Sequence, residues 1–313
     1  MADAAIGTEG RHRYSCYGLT IASELALPDL GPAPAPDAPV DITIRRGALD
    51  DPDPSLLLPL GLWRAGDVCG FAVEEVGRYE ARGGTEIVID EVPGADQAAL
   101  RLYLLGSAMG ATMMLRGALV LHGNSVRVGD AAAVVVGHSG SGKSTLAAEF
   151  DRRGFDVLSD DVVPVDGEGR ALPGYPRIKL WDDAVDRLGH DSDSLERVHA
   201  RLDKFHVPLR RGELAPLPLR WIYVLERHRG AELVIEPATG ATRFALLHEH
   251  TYRNELIVGR AAARHLEQCA ALATRTRIRR VLRPAETMSA DATADAILAD
   301  IAADQMTPAQ ENA

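Results

Sequence analysis

The chain has 313 residues, 46% hydrophobic and 25% charged, enough to bury a core and long enough for more than one domain. Its formal charge of −11 argues against a nucleic-acid partner, because neutralising phosphates needs a surplus of Lys and Arg. Cys16, Cys69 and Cys269 are odd in number and far apart, which argues against a disulfide framework or a zinc site. No apolar run reaches the roughly 18 residues of a spanning helix, and Met1–Arg11 is polar, so the expectation is a cytoplasmic protein with no membrane partner.

In chain order, residues 14–92 read as β-rich. Tyr17–Ile21, Val40–Arg45, Val68–Val76 and Glu86–Asp90 are short and rich in β-branched residues, with turn signals between them at Gly31-Pro32, Asp51–Pro54 and Gly83-Gly84. From Ala95 the period changes. Ala99, Leu102, Leu105, Ala108, Met109, Thr112 and Met113 recur at about 3.6 residues, which predicts a helix ending at Gly117. Met109, Met113 and Met114 read as helix core in preference to a binding groove. The expected division is a β-rich N-terminal domain over 1–95 and a second domain over 96–313.

Ala118–Val128 reads as a strand. Ala131–Val136 is a continuous apolar run, the mark of a strand covered on both faces. A glycine-rich loop, a helix over Thr145–Arg153 and a buried strand over Phe155–Leu158 follow, together the start of a βαβ unit. Later strands are expected at Trp221–Leu225, Leu233–Ile235 and Arg277–Leu282. Later helices are expected at Asp182–Leu188, Ala262–Ala273 and Asp291–Ala303, with Thr307–Ala313 fraying.

The loop Gly137-His138-Ser139-Gly140-Ser141-Gly142-Lys143-Ser144 fits G-x-x-x-x-G-K-[ST] at every fixed position. Glycines let the backbone fold so that its N–H groups face phosphate oxygens, and the following helix turns its positive end to the same anion. Lys143 is then expected to reach the β- and γ-phosphates of ATP, and Ser144 to ligate Mg²⁺. Thr145 completes the expected nucleotide-binding stretch. Asp160 and Asp161, placed after the next strand, are expected near the metal. One could hold Mg²⁺ and the other accept a proton from an attacking hydroxyl, or both could be a strand-end turn and a metal ligand with no base role. His122, in the strand before the P-loop strand, is either a structural histidine or a group within reach of the γ-phosphate. His190, His199, His206, His248 and His250 are too irregularly spaced for a metal site.

His122-Gly123, the apolar strand, the P-loop, Arg152-Arg153-Gly154-Phe155 and Ser159-Asp160-Asp161 together resemble the catalytic domain of HPr serine kinase/phosphorylase. The resemblance implies an α/β P-loop fold of the phosphoenolpyruvate-carboxykinase-like type and phosphorylation of a serine hydroxyl. It also implies Asp160 as general base, Asp161 in support and as a metal ligand, Ser144 on Mg²⁺ and His122 beside the transferred phosphate. The chain departs from that family in having Thr145 where a Glu follows the P-loop serine. Pro173–Trp181 replaces the segment used for phosphorolysis, and the N-terminal half differs from the family's regulatory domain.

Tyr175-Pro176-Arg177-Ile178-Lys179-Leu180-Trp181, Lys204–Leu209 and His250-Thr251-Tyr252-Arg253 are similar to a smaller branch of HPr-kinase-like enzymes found with lasso-peptide biosynthesis. Its members phosphorylate the C-terminal serine of a precursor peptide, so the implied partner is a peptide or small protein with an acceptor serine. Arg177, Lys204 and Arg253 are candidates to hold phosphate or a peptide carboxylate, or to sit in surface ion pairs. A kinase of a small hydroxylated molecule and a nucleotide-dependent regulator remain the alternatives. The related kinase/phosphorylases are hexamers, so a homo-oligomer is one option.

Overall fold

The structure, a computed structural model, describes residues 12–33, 35–175, 177–181, 196–199, 202–208, 214–284 and 289–306. The first strands are β1 (His12–Cys16), β2 (Leu19–Ser23), β3 (Gly31–Pro32), β4 (Ile42–Arg46) and β5 (Leu57–Leu58). They are followed by β6 (Leu62–Ala65), β7 (Val68–Val73), β8 (Gly77–Arg82) and β9 (Glu86–Glu91). These form a nine-stranded sheet in the order β3-β1-β2-β4-β9-β8-β7-β6-β5. The expected strand Tyr17–Ile21 is strand from Leu19 on, in β2, while Tyr17 and Gly18 form the bend of a hairpin. Tyr17 and Gly18 take φ of 54° and 74°, which lets Cys16 pair with Leu19 across two residues.

The long helix of the sequence reading exists as α1 (Gln97–Tyr103), a π-type turn over Leu104–Ala108, and α2 (Met109–Leu115). Gln97–Leu115 is long and apolar enough to cross a membrane by length and composition. Its apolar face is consumed within the chain. Leu100, Leu104, Met109 and Met113 are buried in one cluster with Ile42, Ile87 and Ile89 of the first sheet and with Val120 and Val162 of the second. Met109 and Met113 are therefore core, as their spacing implied, whereas Met114 is half-buried and lines a hollow.

The second sheet carries the glycine-rich loop. β10 (Leu119–Val128) and β11 (Ala131–Gly137) are an antiparallel pair, and α3 (Lys143–Arg152) leads to β12 (Val157–Val165). β12 pairs antiparallel with β10, so β11 and β12 run parallel with β10 between them. The expected βαβ unit is thus present with a strand inserted. β13 (Arg170–Ala171) pairs with both β12 and a long strand after the third sheet. That third sheet is small: β14 (Arg177–Trp181), β15 (Glu196–His199) and β16 (Leu202–Pro208), in the order β14-β16-β15. The expected strand Phe155–Leu158 begins only at Val157 and runs on as β12; the expected helix Asp182–Leu188 lies outside the described residues, as does Thr307–Ala313.

The second sheet is completed by β17 (Leu217–His228), parallel to β11, then β18 (Val234–Pro237) and β19 (Arg277–Pro284). Helices cover both of its faces. On one, Leu146 and Phe150 of α3 pack with Val135, Tyr223 and Val281, and with Ile297 and Ile301 of a C-terminal helix, Ala290–Met306. On the other, α4 (Ala241–Glu249) and α5 (Arg260–Arg275) bury Leu247, Cys269 and Leu272 against Val134, Val136 and Ile222. The C-terminal helix is α6. Every residue of Ala131–Gly137 is buried, which is what its uninterrupted apolar pattern requires. The described chain is a mixed α/β protein.

Candidate functional site

The glycine loop leaves the end of β11 and enters α3 through Gly142, whose φ of 86° is a left-handed conformation that favours glycine. No side chain caps the first turn of α3, and ten residues of helix dipole end there. Lys143 is buried and spans the loop: its Nζ donates to the Gly137 carbonyl at 2.7 Å and to the His138 carbonyl at 3.2 Å. Asn124 of β10 donates to the Lys143 carbonyl at 2.7 Å, pinning the start of the helix to the neighbouring strand.

The outer side of the loop rests on two arginines from other strands. Arg283 of β19 donates to the Ser141 carbonyl, and Arg227 of β17 donates to the Gly140 carbonyl at 3.1 Å. Arg283 is almost fully buried; desolvation, and then the charge of Arg227, push its pKa down to about 10, so it stays cationic at neutral pH. The sequence reading missed Asn124, Arg227 and Arg283. No local motif marks them, since they come from separate strands.

Asp160 and Asp161 do not follow a strand end as expected. β12 continues through Val165, so both lie inside it, opposite Asn124 and Gly123 of β10. Asp161 sits at φ 74°, a strained position for a non-glycine residue in mid-strand. The Ser159 hydroxyl bridges the kink by donating to the Val162 carbonyl at 2.6 Å. The kink separates the two carboxylates. Asp160 is buried and accepts from the Ser144 hydroxyl at 3.2 Å. Asp161 lines an open cavity, with an Oδ1 3.4 Å from His122 Nδ1.

His122 stands on β10 beside the loop. Its Nδ1 lies 3.1 Å from the Asp161 carbonyl, which assigns the proton to Nδ1 and leaves Nε2 as an acceptor. Burial lowers its pKa, and Asp161 opposes that shift. The cavity has a volume of about 430 Å³ and joins His122 and Asp161 to Gly137, His138 and Ser139 of the loop. Its far wall is the segment from Glu249 to Glu255. His138 Nε2 lies 2.9 Å from Glu249 Oε1, tying the loop to the end of α4. Burial lowers the pKa of His250 to about 4, so it is neutral at pH 7.

Arg253 reaches the cavity from a left-handed backbone position, φ 47°, and donates to Ser107 of the π-type turn through Nε at 3.2 Å and Nη2 at 3.0 Å. The ring of Tyr252 lies against Gly110, where a β-carbon would come within 2.9 Å of it. The structure thus brings the P-loop, His122, Asp160, Asp161 and Arg253 together. It places Arg177 elsewhere: its Nη1 is 2.9 Å from Asp29 Oδ1, and Asp29 is buried beneath the first sheet, with Arg101 3.6 Å from the other oxygen. Of the two roles left open for Arg177, the structure shows an ion pair. Lys204 falls in β16, and its side chain lies outside the described residues. Arg153, in the segment that resembles the family, pairs with Glu149, Asp291 and Asp295 and so joins α3 to α6.

No family model matches the chain, and no curated protein matches it. Among the solved structures similar to it is the Hpr(Ser) kinase/phosphatase from Coxiella burnetii. The two are 10% identical, over 60% of this chain and 99% of that one, with a TM-score of 0.27, too loose a superposition to carry an argument.

Proposed function

We propose that this chain is an ATP-dependent phosphotransferase of the HPr-kinase-like P-loop type, moving the γ-phosphate to a hydroxyl. The observation that carries the proposal is the division of labour at the loop. Lys143 ties the loop from inside, Ser144 meets Asp160, and Asp161 with His122 faces a cavity that reaches Gly137–Ser139.

Ser144 and Asp160 supply a hydroxyl and a carboxylate oxygen, a donor set that fits Mg²⁺. Among the described residues no group of three or more His, Cys, Asp and Glu could hold a metal. When bound, the ion would take its other ligands from phosphate and water and neutralise charge on the β- and γ-phosphates. The geometry favours the reverse of the roles implied by the resemblance, with Asp160 toward the metal and Asp161 toward the acceptor. The acceptor oxygen bonds to the γ-phosphorus, the bond to the β–γ bridging oxygen breaks, ADP leaves, and the acceptor proton passes to Asp161. His122, neutral and fixed by the Asp161 carbonyl, lines the path beside it.

A volume of about 430 Å³ suits a small ligand or the last few residues of a chain, and not a folded surface. We take the acceptor to be a serine at or near a peptide end, in keeping with the resemblance to the lasso-associated branch. The same volume also favours the second reading, a small hydroxylated molecule. Incubation with γ-labelled ATP, Mg²⁺ and a precursor peptide, with and without Ser→Ala at its last residue, separates the two. Label on the first peptide alone supports the peptide reading, and label on neither while a small alcohol is phosphorylated supports the other. Lys143→Ala with unchanged ATP affinity and turnover would sink both.

A further inference from the structure

Thr251 also lines a second hollow of about 230 Å³, whose lining residues include none of Gly137–Ser144. Leu115, Leu119 and Ile257 give it an apolar wall, and Arg64, Arg260 and Arg264 give it a cationic rim. Asp67 is the one carboxylate among its lining residues. Arg64 is held in place by carbonyls, with Nη1 donating to Leu256 at 2.8 Å and Nε to Gly66 at 3.2 Å; these bonds order the guanidinium without neutralising it. Arg260 and Arg264 are one turn apart on α5, on one face of the helix, and both are exposed to solvent.

We propose that this hollow is a second anion site, for a small ligand carrying a phosphate or carboxylate on an apolar body. Guanidinium groups are suited to the planar, paired oxygens of either headgroup, and the apolar wall to the body. The buried floor is Thr251, whose hydroxyl lies 2.8 Å from His265 Nε2. The same segment is stitched to β10 by bonds of 2.8 Å from the Tyr252 amide to the Val120 carbonyl and from the His122 amide to the His250 carbonyl. A ligand seated here therefore bears on the stretch that carries Tyr252 and Arg253 into the first cavity. The assignment stands on its own residues and does not rest on the phosphotransfer reading.

Phenyl phosphate and benzoate share a body and differ in headgroup. Each is titrated by calorimetry into Lys143→Ala, where the P-loop is disabled, and into the same chain with Arg260→Ala and Arg264→Ala added. One equivalent bound, weakened at least tenfold by the two arginine substitutions, is the expected result, and the tighter probe names the headgroup. Amides from His250 to Arg253 should exchange more slowly with the probe present. Binding unaffected by the arginine substitutions, or no binding of either probe at millimolar concentration, overturns the proposal. Should Lys143→Ala fail to fold, the difference between wild type and Arg260→Ala/Arg264→Ala decides the same question, because neither arginine touches the loop.

Discussion

Acid should destabilise this protein well above the range where carboxylates titrate, and the cause is a pair of buried histidines. His250 and His265 are 5% and 6% exposed, and burial lowers each pKa from 6.5 to about 4. A histidine with a lowered folded pKa binds fewer protons folded than unfolded, so stability rises with pH between about 4 and 6.5 and is lost on going down through that window. Linkage then gives roughly 2 kcal/mol per histidine between pH 7 and pH 5, on the order of 3–4 kcal/mol for the two. Urea unfolding by circular dichroism at the two pH values reads this directly. With a slope of a few kcal/mol per molar, the midpoint should fall by about 1 M. His265→Gln keeps a donor for the Thr251 hydroxyl and removes the titration, so its midpoint should fall by about half as much. A wild-type midpoint that moves by less than about 0.3 M, or a variant as acid-sensitive as wild type, would refute the reasoning.

Asp161→Asn should keep nucleotide affinity and lose transfer by about 10²–10⁴-fold, the span of a general base; Asp160→Asn should instead raise the Mg²⁺ concentration needed for half-maximal rate. Equal effects of the two on metal dependence would remove the division of roles. Arg283→Met leaves the Ser141 carbonyl without its buried donor; a cost of about 1–3 kcal/mol in urea and weaker nucleotide binding by calorimetry are expected. Gly123→Ala puts a β-carbon 2.2 Å from the Val135 carbonyl oxygen and should abolish soluble folded protein. Gly110→Ala meets the Tyr252 ring at 2.9 Å, so the chain should fold with ordinary ATP affinity and an acceptor KM raised severalfold.

How far the sequence could be read depended on whether the cause of a feature was local. The P-loop follows from eight consecutive residues, and the strand before it from an apolar run that only burial on both faces can satisfy. The helix over 97–115 was legible from its period, but its π-type turn, which aims Ser107 at Arg253, was not, because the partner lies 146 residues away. The hairpin at Tyr17-Gly18 escaped because a tyrosine at positive φ is no turn signal. β6 and β8 were missed for a related reason: Arg64, Arg78, Glu80 and Arg82 break up their apolar content on the open side of the sheet. Arg177 illustrates the limit for charges. Its neighbours in sequence left a phosphate contact and an ion pair both open, and its partner Asp29, far away in the chain, is marked by no local motif.

The register of three strands explains why the first cavity exists where it does. In an ordinary parallel α/β sheet the strands end together at the ligand crevice, and loops must build everything beyond it. Here β11 ends at Gly137, but β10 runs the other way and does not stop level with it. Gly123 is the last β10 residue paired with β11, and Leu119–His122 continue past that point against Val162–Val165 of β12. The ribbon that overshoots the P-loop is therefore rigid strand, hydrogen-bonded on one edge to itself and on the other to Thr251 through its bridge with Leu121. His122 stands at the root of this ribbon on one strand and Asp161 on the other, held by a single kink at φ 74°. On the proposed reading, the proton acceptor on this ribbon is fixed relative to the glycine-rich loop by sheet hydrogen bonds, which a loop-borne residue would lack. In-line transfer demands that constraint, since the acceptor oxygen, the phosphorus and the leaving oxygen must be aligned before the bond order changes.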